Sequence, residues 1–140
     1  MLKRFEVENY RGFSEKLVFD LTARDYSFNQ NLVRNGIVNK AIIYGKNGIG
    51  KSALGFAIFD VISHLTDNKS LKRGNYRNLE HLDRPATFRY FFKFDNDEIV
   101  YAYTKFDQYD LRKEELTVNG REVIRFNYFS DSEEDRFVDD

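Results

Sequence analysis

The chain has no cysteine, no tryptophan, one proline and no long hydrophobic run. The lack of cysteine excludes a disulfide scaffold, a thiolate metal site and a cysteine nucleophile. Its apolar runs are far below the roughly 18 residues of a membrane span, and charges recur from the first residues, so no signal peptide is predicted. We therefore expect a cytoplasmic protein with no membrane partner.

The composition is that of a folded domain. The 140 residues suffice for one domain, and the fourteen Phe and nine Tyr predict an ordered chain over most of its length.

The net charge of -1 is unevenly distributed. Residues 1–77 have thirteen basic and seven acidic side chains, a balance of +6, and residues 78–140 have nine basic and sixteen acidic side chains, a balance of -7. The basic half suits an anionic ligand, although many domains vary in charge by this amount.

Periodicity predicts strands, a turn and one helix in the first half. A continuous apolar run, Ala41–Tyr44, is typical of a strand buried on both faces of an α/β sheet. The helix after it has apolar residues on more than one face, which predicts burial in a core. The predicted elements are strands at Leu2–Val7 and Lys16–Leu21, a turn at Asn9–Gly12, a loop over 24–39, the Ala41–Tyr44 strand, the helix Lys51–Leu65 and a polar connection over 67–85.

The second half is predicted to be an aromatic-rich antiparallel meander. Asn119-Gly120 between two β-rich runs is a strong hairpin signal, because both residues tolerate positive φ. Strict alternation places Phe88, Tyr90, Phe92 and Phe94 on one face. The predicted strands are Thr87–Phe94, Ile99–Phe106, Glu115–Val118 and Val123–Phe129. Residues 131–140 are mostly acidic and are expected to fray.

Residues 45–52 match the phosphate-loop pattern G-x-x-x-x-G-K-[ST] at every fixed position. The matching segment is Gly45-Lys46-Asn47-Gly48-Ile49-Gly50-Lys51-Ser52. Glycines allow the backbone to approach phosphates closely, and the amides of the loop and of the helix N-terminus point at anionic oxygen. Lys51 is expected to contact the β and γ phosphates, and Ser52 to ligate Mg²⁺. We therefore predict that the eight residues bind ATP with Mg²⁺.

The motif, with Asn47 in its third position, resembles the ABC-type ATPase heads of the RecF, SMC and OLD groups. Those heads also open with apolar-x-apolar-x-Asn-aromatic-Arg, which is similar to Phe5–Phe13 here. The chain most resembles AAA/ABC ATPases of prokaryotic anti-phage and abortive-infection systems, over about residues 2–129. The resemblance implies an α/β P-loop NTPase fold: an ABC-ATPase-like N-terminal lobe with an antiparallel β arm. It divides the chain into a nucleotide-binding lobe (1–80), the arm of the same domain (81–130) and an acidic tail (131–140).

The resemblance also implies functional residues and partners. Arg11 matches an arginine that can lie near the nucleotide, although a solvated turn arginine is the alternative. The implied partners are the C-terminal remainder of the ATPase, a second head in a homodimer, and DNA or a nuclease. The family's Q-loop, signature motif, Asp-Glu strand end and switch His are not recognisable here, so we expect these residues to bind nucleotide without hydrolysing it efficiently. No residue is assigned a catalytic role.

Other motifs are better explained by ordinary turns. Phe94-Asp95-Asn96 imitates a strand ending in a metal-binding Asp, but a hairpin turn explains it. Thr104–Asp107 fits a guanine-recognition pattern without the D-x-x-G element that a GTPase needs. Neither His64 nor His81 has a partner at zinc-ligand spacing.

Two functions stay open for the chain. It is either the first lobe of an ABC-type ATPase, or a stand-alone or degenerate nucleotide-binding module that regulates a partner without hydrolysis.

Overall fold

A single six-stranded sheet organises the molecule. The structure, a computed structural model, describes residues 1–25, 29–66 and 75–128. The strand order is β2-β1-β5-β6-β7-β8, and every strand pairing within the described residues is antiparallel. The strands are β1 (Leu2–Glu8), β2 (Leu17–Asp20), β5 (Ala86–Phe94), β6 (Asp97–Lys105), β7 (Leu111–Val118) and β8 (Arg121–Asn127). The predicted meander is confirmed, and the two strands predicted at Leu2–Val7 and Lys16–Leu21 form the antiparallel pair β1–β2.

The two faces of the sheet differ in chemistry because side chains alternate along each strand. One face is aromatic, and Phe88, Tyr90 and Tyr103 on it are fully buried or nearly so. The stacking of Tyr90 on Phe92, and of Phe92 on Phe94, confirms the predicted alternation along β5. The opposite face carries ion pairs such as Arg4–Glu6 and Arg125–Glu115. The aromatic face is thus the core face.

One helix, α1 (Lys51–Leu65), packs on the aromatic face, and its predicted bounds are confirmed. Its buried residues are Leu54, Ala57 and Asp60. Large apolar side chains on its other sides stay exposed: Phe56, Phe59, Ile62 and Leu65. The predicted burial of α1 on more than one face is therefore wrong, since the sheet covers only one side of the helix within the described residues.

The prediction of a buried strand at Ala41–Tyr44 is also wrong. This segment forms no strand, and the side chains of Ile42 and Tyr44 are 90% and 88% exposed. A strand buried on both faces needs hydrogen-bonded neighbours and a layer above and below it. The described residues provide neither for this segment.

The segment predicted as a loop over residues 24–39 contains a small hairpin. It consists of β3 (Val33–Arg34) and β4 (Ile37–Val38), preceded by a 3-10 turn at Gln30–Leu32. Asn35 and Gly36 both have positive φ between the two strands. They form the same Asn-Gly turn as Asn119-Gly120, so the prediction of a plain loop over 24–39 is wrong at this hairpin.

The described residues form a mostly antiparallel β structure with one helix and an aromatic cluster. Pairing of β1 with β5 brings strands from both the 1–80 and 81–130 ranges into the same sheet. The predicted tail, 131–140, lies outside the described residues, as do residues 67–74 of the predicted connection and the end of the strand predicted to reach Phe129. No helix in the described ranges is both long and apolar enough to cross a membrane.

Candidate nucleotide-binding site

The backbone of the phosphate-loop motif requires glycine at two of its positions. Gly48 has a φ of 87° and follows Asn47 in a turn, and Gly50 has a φ of 98° at the N-cap of α1. These left-handed conformations strain any residue with a Cβ. The two glycines therefore allow the chain to turn from the loop directly into the helix.

The N-terminus of α1 is open to an anion. No side chain caps it, and the first turn contains no acidic residue. The first amides of a helix lack an intrahelical acceptor, and the helix dipole adds partial positive charge at this end. The side chain of Ser52 is exposed in the same turn, so that it is accessible to a solvated metal ion.

Lys51 folds back over its own loop. Its Nζ donates to the carbonyl oxygens of Gly45 and Lys46, each at 2.6 Å. An ammonium group has three donors, so that one remains for an external acceptor. The two hydrogen bonds hold the ammonium group of Lys51 against the start of the loop, whose residues are otherwise exposed.

The turn after β1 lies against the start of α1. A Cβ added at Gly50 would be 3.1 Å from the ring of Phe13. The guanidinium of Arg11 lies 4.8 Å from the ring centroid of Phe56, and its Nε donates to the hydroxyl of Tyr10 at 3.1 Å. The fold thus brings Arg11 and the phosphate loop to the same end of α1.

Hydrogen bonds of two asparagines, Asn9 and Asn78, also hold the turn after β1 in place. Asn9, which is 2% exposed, donates from Nδ2 to the carbonyls of His81 and Arg84 at 2.9 and 2.8 Å. Asn78 donates to the carbonyl of Arg11 at 2.7 Å. Asn9 and Arg11 have φ values of 54° and 49°, a conformation that asparagine tolerates better than most residues. These contacts fix the direction of the Arg11 side chain.

A buried polar cluster joins the middle of α1 to the sheet. Asp60 accepts hydrogen bonds from the hydroxyls of Tyr103 at 2.7 Å and Tyr76 at 3.1 Å, and Lys105 lies 3.4 Å away. Tyr90 donates to the carbonyl of Ala57 at 2.7 Å. Burial, together with the nearby Asp60 charge, raises the pKa of Tyr76 and Tyr103 well above 10. These tyrosines therefore remain neutral donors that anchor the helix.

A second cluster surrounds Glu114 one turn further along α1. His64 lies 3.4 Å from the Glu114 carboxylate and 2.9 Å from the Tyr101 hydroxyl. Tyr101 and Tyr128 also donate to Glu114, the latter at 3.0 Å. The hydrogen bond with His64, followed by those of the tyrosines, lowers the pKa of Glu114 to about 2 despite its partial burial. Glu114 is thus an anion at neutral pH.

Sequence reasoning missed both clusters. A usable signal was present: Asp60 and His64 are four residues apart on a mostly apolar helix, and polar residues at this spacing share a face. The alternating Tyr101 and Tyr103 on β6 face them. His64, which has no zinc-ligand partner, lies on the face of α1 that contacts the sheet.

The turn interpretation of the other motifs agrees with the geometry. Asp95 has a φ of 52° in the β5–β6 turn. Asp107 accepts hydrogen bonds from the amides of Tyr109 and Asp110 at 2.7 and 3.0 Å, which close a local turn. No group of three or more potential metal ligands occurs among the His, Asp and Glu residues of the described ranges.

No protein-family model matches the chain. A search of curated proteins likewise finds no significant match.

Proposed function

We propose that residues 45–52 bind the triphosphate of Mg-ATP, and that the chain is the N-terminal part of an ABC-type ATPase with an α/β P-loop fold. The observation that carries the proposal is the complete motif at the uncapped N-terminus of α1. Two of the motif's glycines have positive φ, and Lys51 is held at the loop. These features suit a phosphate ligand.

Roles within the proposed site follow from side-chain chemistry. The free donor of Lys51 contacts the β and γ phosphates, and the amides at the start of α1 surround the remaining oxygens. Ser52 contributes a hydroxyl to Mg²⁺, which takes its other ligands from phosphate and water. Arg11 approaches from the neighbouring turn. Its guanidinium is pre-oriented by Phe56 and Tyr10 and is available to the nucleotide.

The wider proposal concerns the full-length enzyme. Such an ATPase hydrolyses Mg-ATP between two heads and serves a DNA-linked or anti-phage process, with DNA or a nuclease as partner. This part of the proposal rests on the resemblance of residues 5–13 and 45–52 to the RecF, SMC and OLD groups. A stand-alone or degenerate nucleotide-binding module that regulates a partner without hydrolysis is the second candidate.

Titration calorimetry with Mg-ATP tests the binding site. Lys51→Ala is expected to weaken binding by about tenfold or more, because a charge-assisted contact to the triphosphate is lost. Lys40→Ala removes an exposed lysine just outside the motif and is the matched control. Equal affinity in all three proteins would disprove the site.

Competition between ATP and GTP completes this test. We expect GTP to bind no more tightly than ATP, because Asp107 lies in a local turn rather than in a base-recognition element. A strong GTP preference that is lost in Asp107→Ala would contradict the ATPase assignment while leaving the phosphate loop intact.

A phosphate-release assay separates binding from hydrolysis. The isolated chain is expected to turn over ATP near the background rate, because each missing catalytic donor commonly costs about 10²–10³ in rate. Turnover of about 1 s⁻¹, which is in the ordinary enzyme range, and abolished by Lys51→Ala, would indicate a catalytic acid within these residues. Asp95, Asp97 and Glu98 are then the first carboxylates to replace.

A further inference from the structure

Arg11 has a backbone conformation that is unfavourable for its residue type. Its φ is 49°, in the left-handed region where the Cβ of most residues crowds the following carbonyl oxygen. Glycine adopts this conformation without penalty. In a residue with a side chain, such strain persists only where the surrounding structure enforces it, and it is concentrated at functional sites. The contacts around Arg11 therefore indicate what its side chain is held in place to do.

A short segment, residues 76–78, holds the backbone of Arg11 at both of its polar groups. The amide of Arg11 donates to the carbonyl of Tyr76 at 3.0 Å, and Nδ2 of Asn78 donates to the carbonyl of Arg11 at 2.7 Å. Oδ1 of Asn78 accepts from the amide of Glu80 at 2.9 Å, and Asn78 is only 8% exposed. Asn78 is therefore a fixed and buried donor.

The 76–78 segment is itself attached to helix α1. The hydroxyl of Tyr76 donates to Asp60 at 3.1 Å, and Asp60 is buried in the middle of the helix. The ring of Tyr76 also packs edge-on against Tyr10, with centroids 5.1 Å apart. The backbone of Arg11 is thus fixed relative to the helix that begins at the phosphate loop, as well as to the strand that precedes it.

The side chain of Arg11 reaches that helix near its first turn. Its guanidinium lies 4.8 Å from the ring centroid of Phe56, which is five residues after Lys51, about 7–8 Å along the axis. A guanidinium has five donors. Within the described residues its hydrogen bonding is confined to Nε, which donates to Tyr10. The remaining donors add positive charge beside helix amides that suit anionic oxygen.

We propose that Asn78 is a positioning residue of the phosphate site. Its amide holds Arg11 in the left-handed conformation that directs the guanidinium to the N-terminal end of α1, and it thereby raises the affinity for a nucleoside triphosphate. Asn78 does not touch the ligand and acts through Arg11. This inference rests on the proposed nucleotide site at residues 45–52. Without the hydrogen bond from Asn78, the strained backbone of Arg11 relaxes and its guanidinium is no longer held beside Phe56.

A double-mutant cycle with Mg-ATP tests whether Asn78 acts through Arg11. We expect Arg11→Ala to weaken binding by about tenfold, from a lost charge-assisted contact, and Asn78→Ala by about threefold or more. The double variant should bind no more weakly than Arg11→Ala alone, because residues that act as a unit are not additive. Asn119→Ala, which loses two side-chain hydrogen bonds at a distant turn, is the control for lowered stability and should keep full affinity. Additive losses would overturn the proposal.

NMR of the nucleotide-free protein gives a readout of position alone. The side-chain protons of Arg11 should show ring-current shifts from Phe56 in the unaltered protein and in Asn119→Ala, and these shifts should collapse in Asn78→Ala. Asn78→Asp retains the acceptor for Glu80 and loses only the donor, so that it should show the same collapse, and the dispersed amide spectrum of each variant verifies its fold. Unchanged Arg11 shifts in both variants at position 78 would overturn the proposal.

Lys51→Ala distinguishes failure of this inference from failure of the phosphate site. If Lys51→Ala binds Mg-ATP as tightly as the unaltered protein, the site at residues 45–52 is wrong, and the role of Asn78 fails with it. If Lys51→Ala weakens binding while Arg11→Ala or Asn78→Ala does not, the phosphate site stands and the positioning role alone is overturned. Weakened binding in all three, without further loss in the double variant, is the expected result.

Discussion

Residues 86–127 and residues 40–50 are both rich in β-forming or apolar side chains, and they have opposite environments. In the first region Ala86, Phe88 and Tyr90 are all 0% exposed. In the second, residues 40–49 are all exposed, and Ile42 and Tyr44 are among the most exposed large side chains in the described part of the chain. Hydrophobicity alone therefore does not decide which segment is buried.

The two regions also differ in how far along the chain their pairing partners lie. The strands of the meander follow one another through short turns, so that β5 pairs with β6, β6 with β7 and β7 with β8. Local pairing satisfies the backbone at a small entropic cost. A strand of an α/β sheet, as was predicted for Ala41–Tyr44, depends instead on partners that are distant in sequence.

Helix α1 connects the two regions. Its N-terminus continues the exposed phosphate loop. Its middle is fixed to the sheet through Asp60, and its last turn through His64. The stable meander therefore provides a rigid support for one end of the loop. The segment that precedes the loop, residues 41–44, receives no such support in the described residues.

The largest expected effect in the comparison is the removal of a core ring from the meander. Phe88→Ala should lower the free energy of unfolding by about 3–5 kcal/mol, because a fully buried ring is replaced by a cavity. Phe94→Ala removes the same side chain from the same face of β5, where it is 51% exposed, and should cost under about 1 kcal/mol. Urea unfolding measures both. Similar losses in the two variants would contradict the assignment of the core.

The elements of the meander were predictable because their signals are local. Alternation along β5, the Asn119-Gly120 turn and the helix after Gly50 are each encoded within a few residues. The sequence did not predict that β7 would begin at Leu111 rather than Glu115. Leu111 to Glu114 is too charged to suggest a strand, and it pairs because β6 and β8 lie on either side of it.

The candidate site was predictable only in part, for the same physical reason. The eight residues of the phosphate loop are contiguous, so that the motif identifies them directly. The Phe13–Gly50 and Arg11–Phe56 contacts join residues about forty positions apart. The resemblance suggested only that Arg11 can lie near the nucleotide. The Glu114 cluster combines a helix with two strands and a turn residue, and no local pattern predicts such a combination.

Acid should reveal how strongly α1 is anchored to the sheet. The pKa of Glu114 is about 2 in the folded chain, below its usual value of 4.5. Its ionised form therefore stabilises the fold fully above pH 4.5, and this contribution, on the order of 2 kcal/mol, is lost as the pH falls from 4.5 towards 2.

The measurement is the free energy of unfolding in urea at several pH values. The unaltered protein should lose stability between pH 4.5 and 2 more steeply than Glu114→Gln, which has no proton to gain at this position. His64→Gln should reduce the difference, because His64 makes the largest contribution to the lowered pKa. Parallel pH profiles of the unaltered protein and Glu114→Gln would contradict the anchoring role of this cluster.

The smallest expected effect concerns the backbone conformation of the β7–β8 turn and its contribution to stability. Gly120 has a φ of 79°, and no atom lies within 4 Å of an added Cβ, so that Gly120→Ala introduces backbone strain without a steric clash. It should cost about 1 kcal/mol. Gly12→Ala is the matched control, since Gly12 also has open space around it and no positive φ, and it should be neutral or slightly stabilising.

Hydrogen exchange can detect the strain outside the turn, because the β7–β8 turn is bonded to the start of β6. The side chain of Asn119 accepts from the amide of Glu98 and donates to Asp97, each at 2.8 Å. Hydrogen exchange in Gly120→Ala should therefore accelerate at the amide of Glu98 as well as within the turn, whereas Gly12→Ala should leave both unchanged. If Gly120→Ala is as stable as Gly12→Ala and exchange at Glu98 is unaltered, the turn does not hold the meander together, and its stability comes from the aromatic face alone.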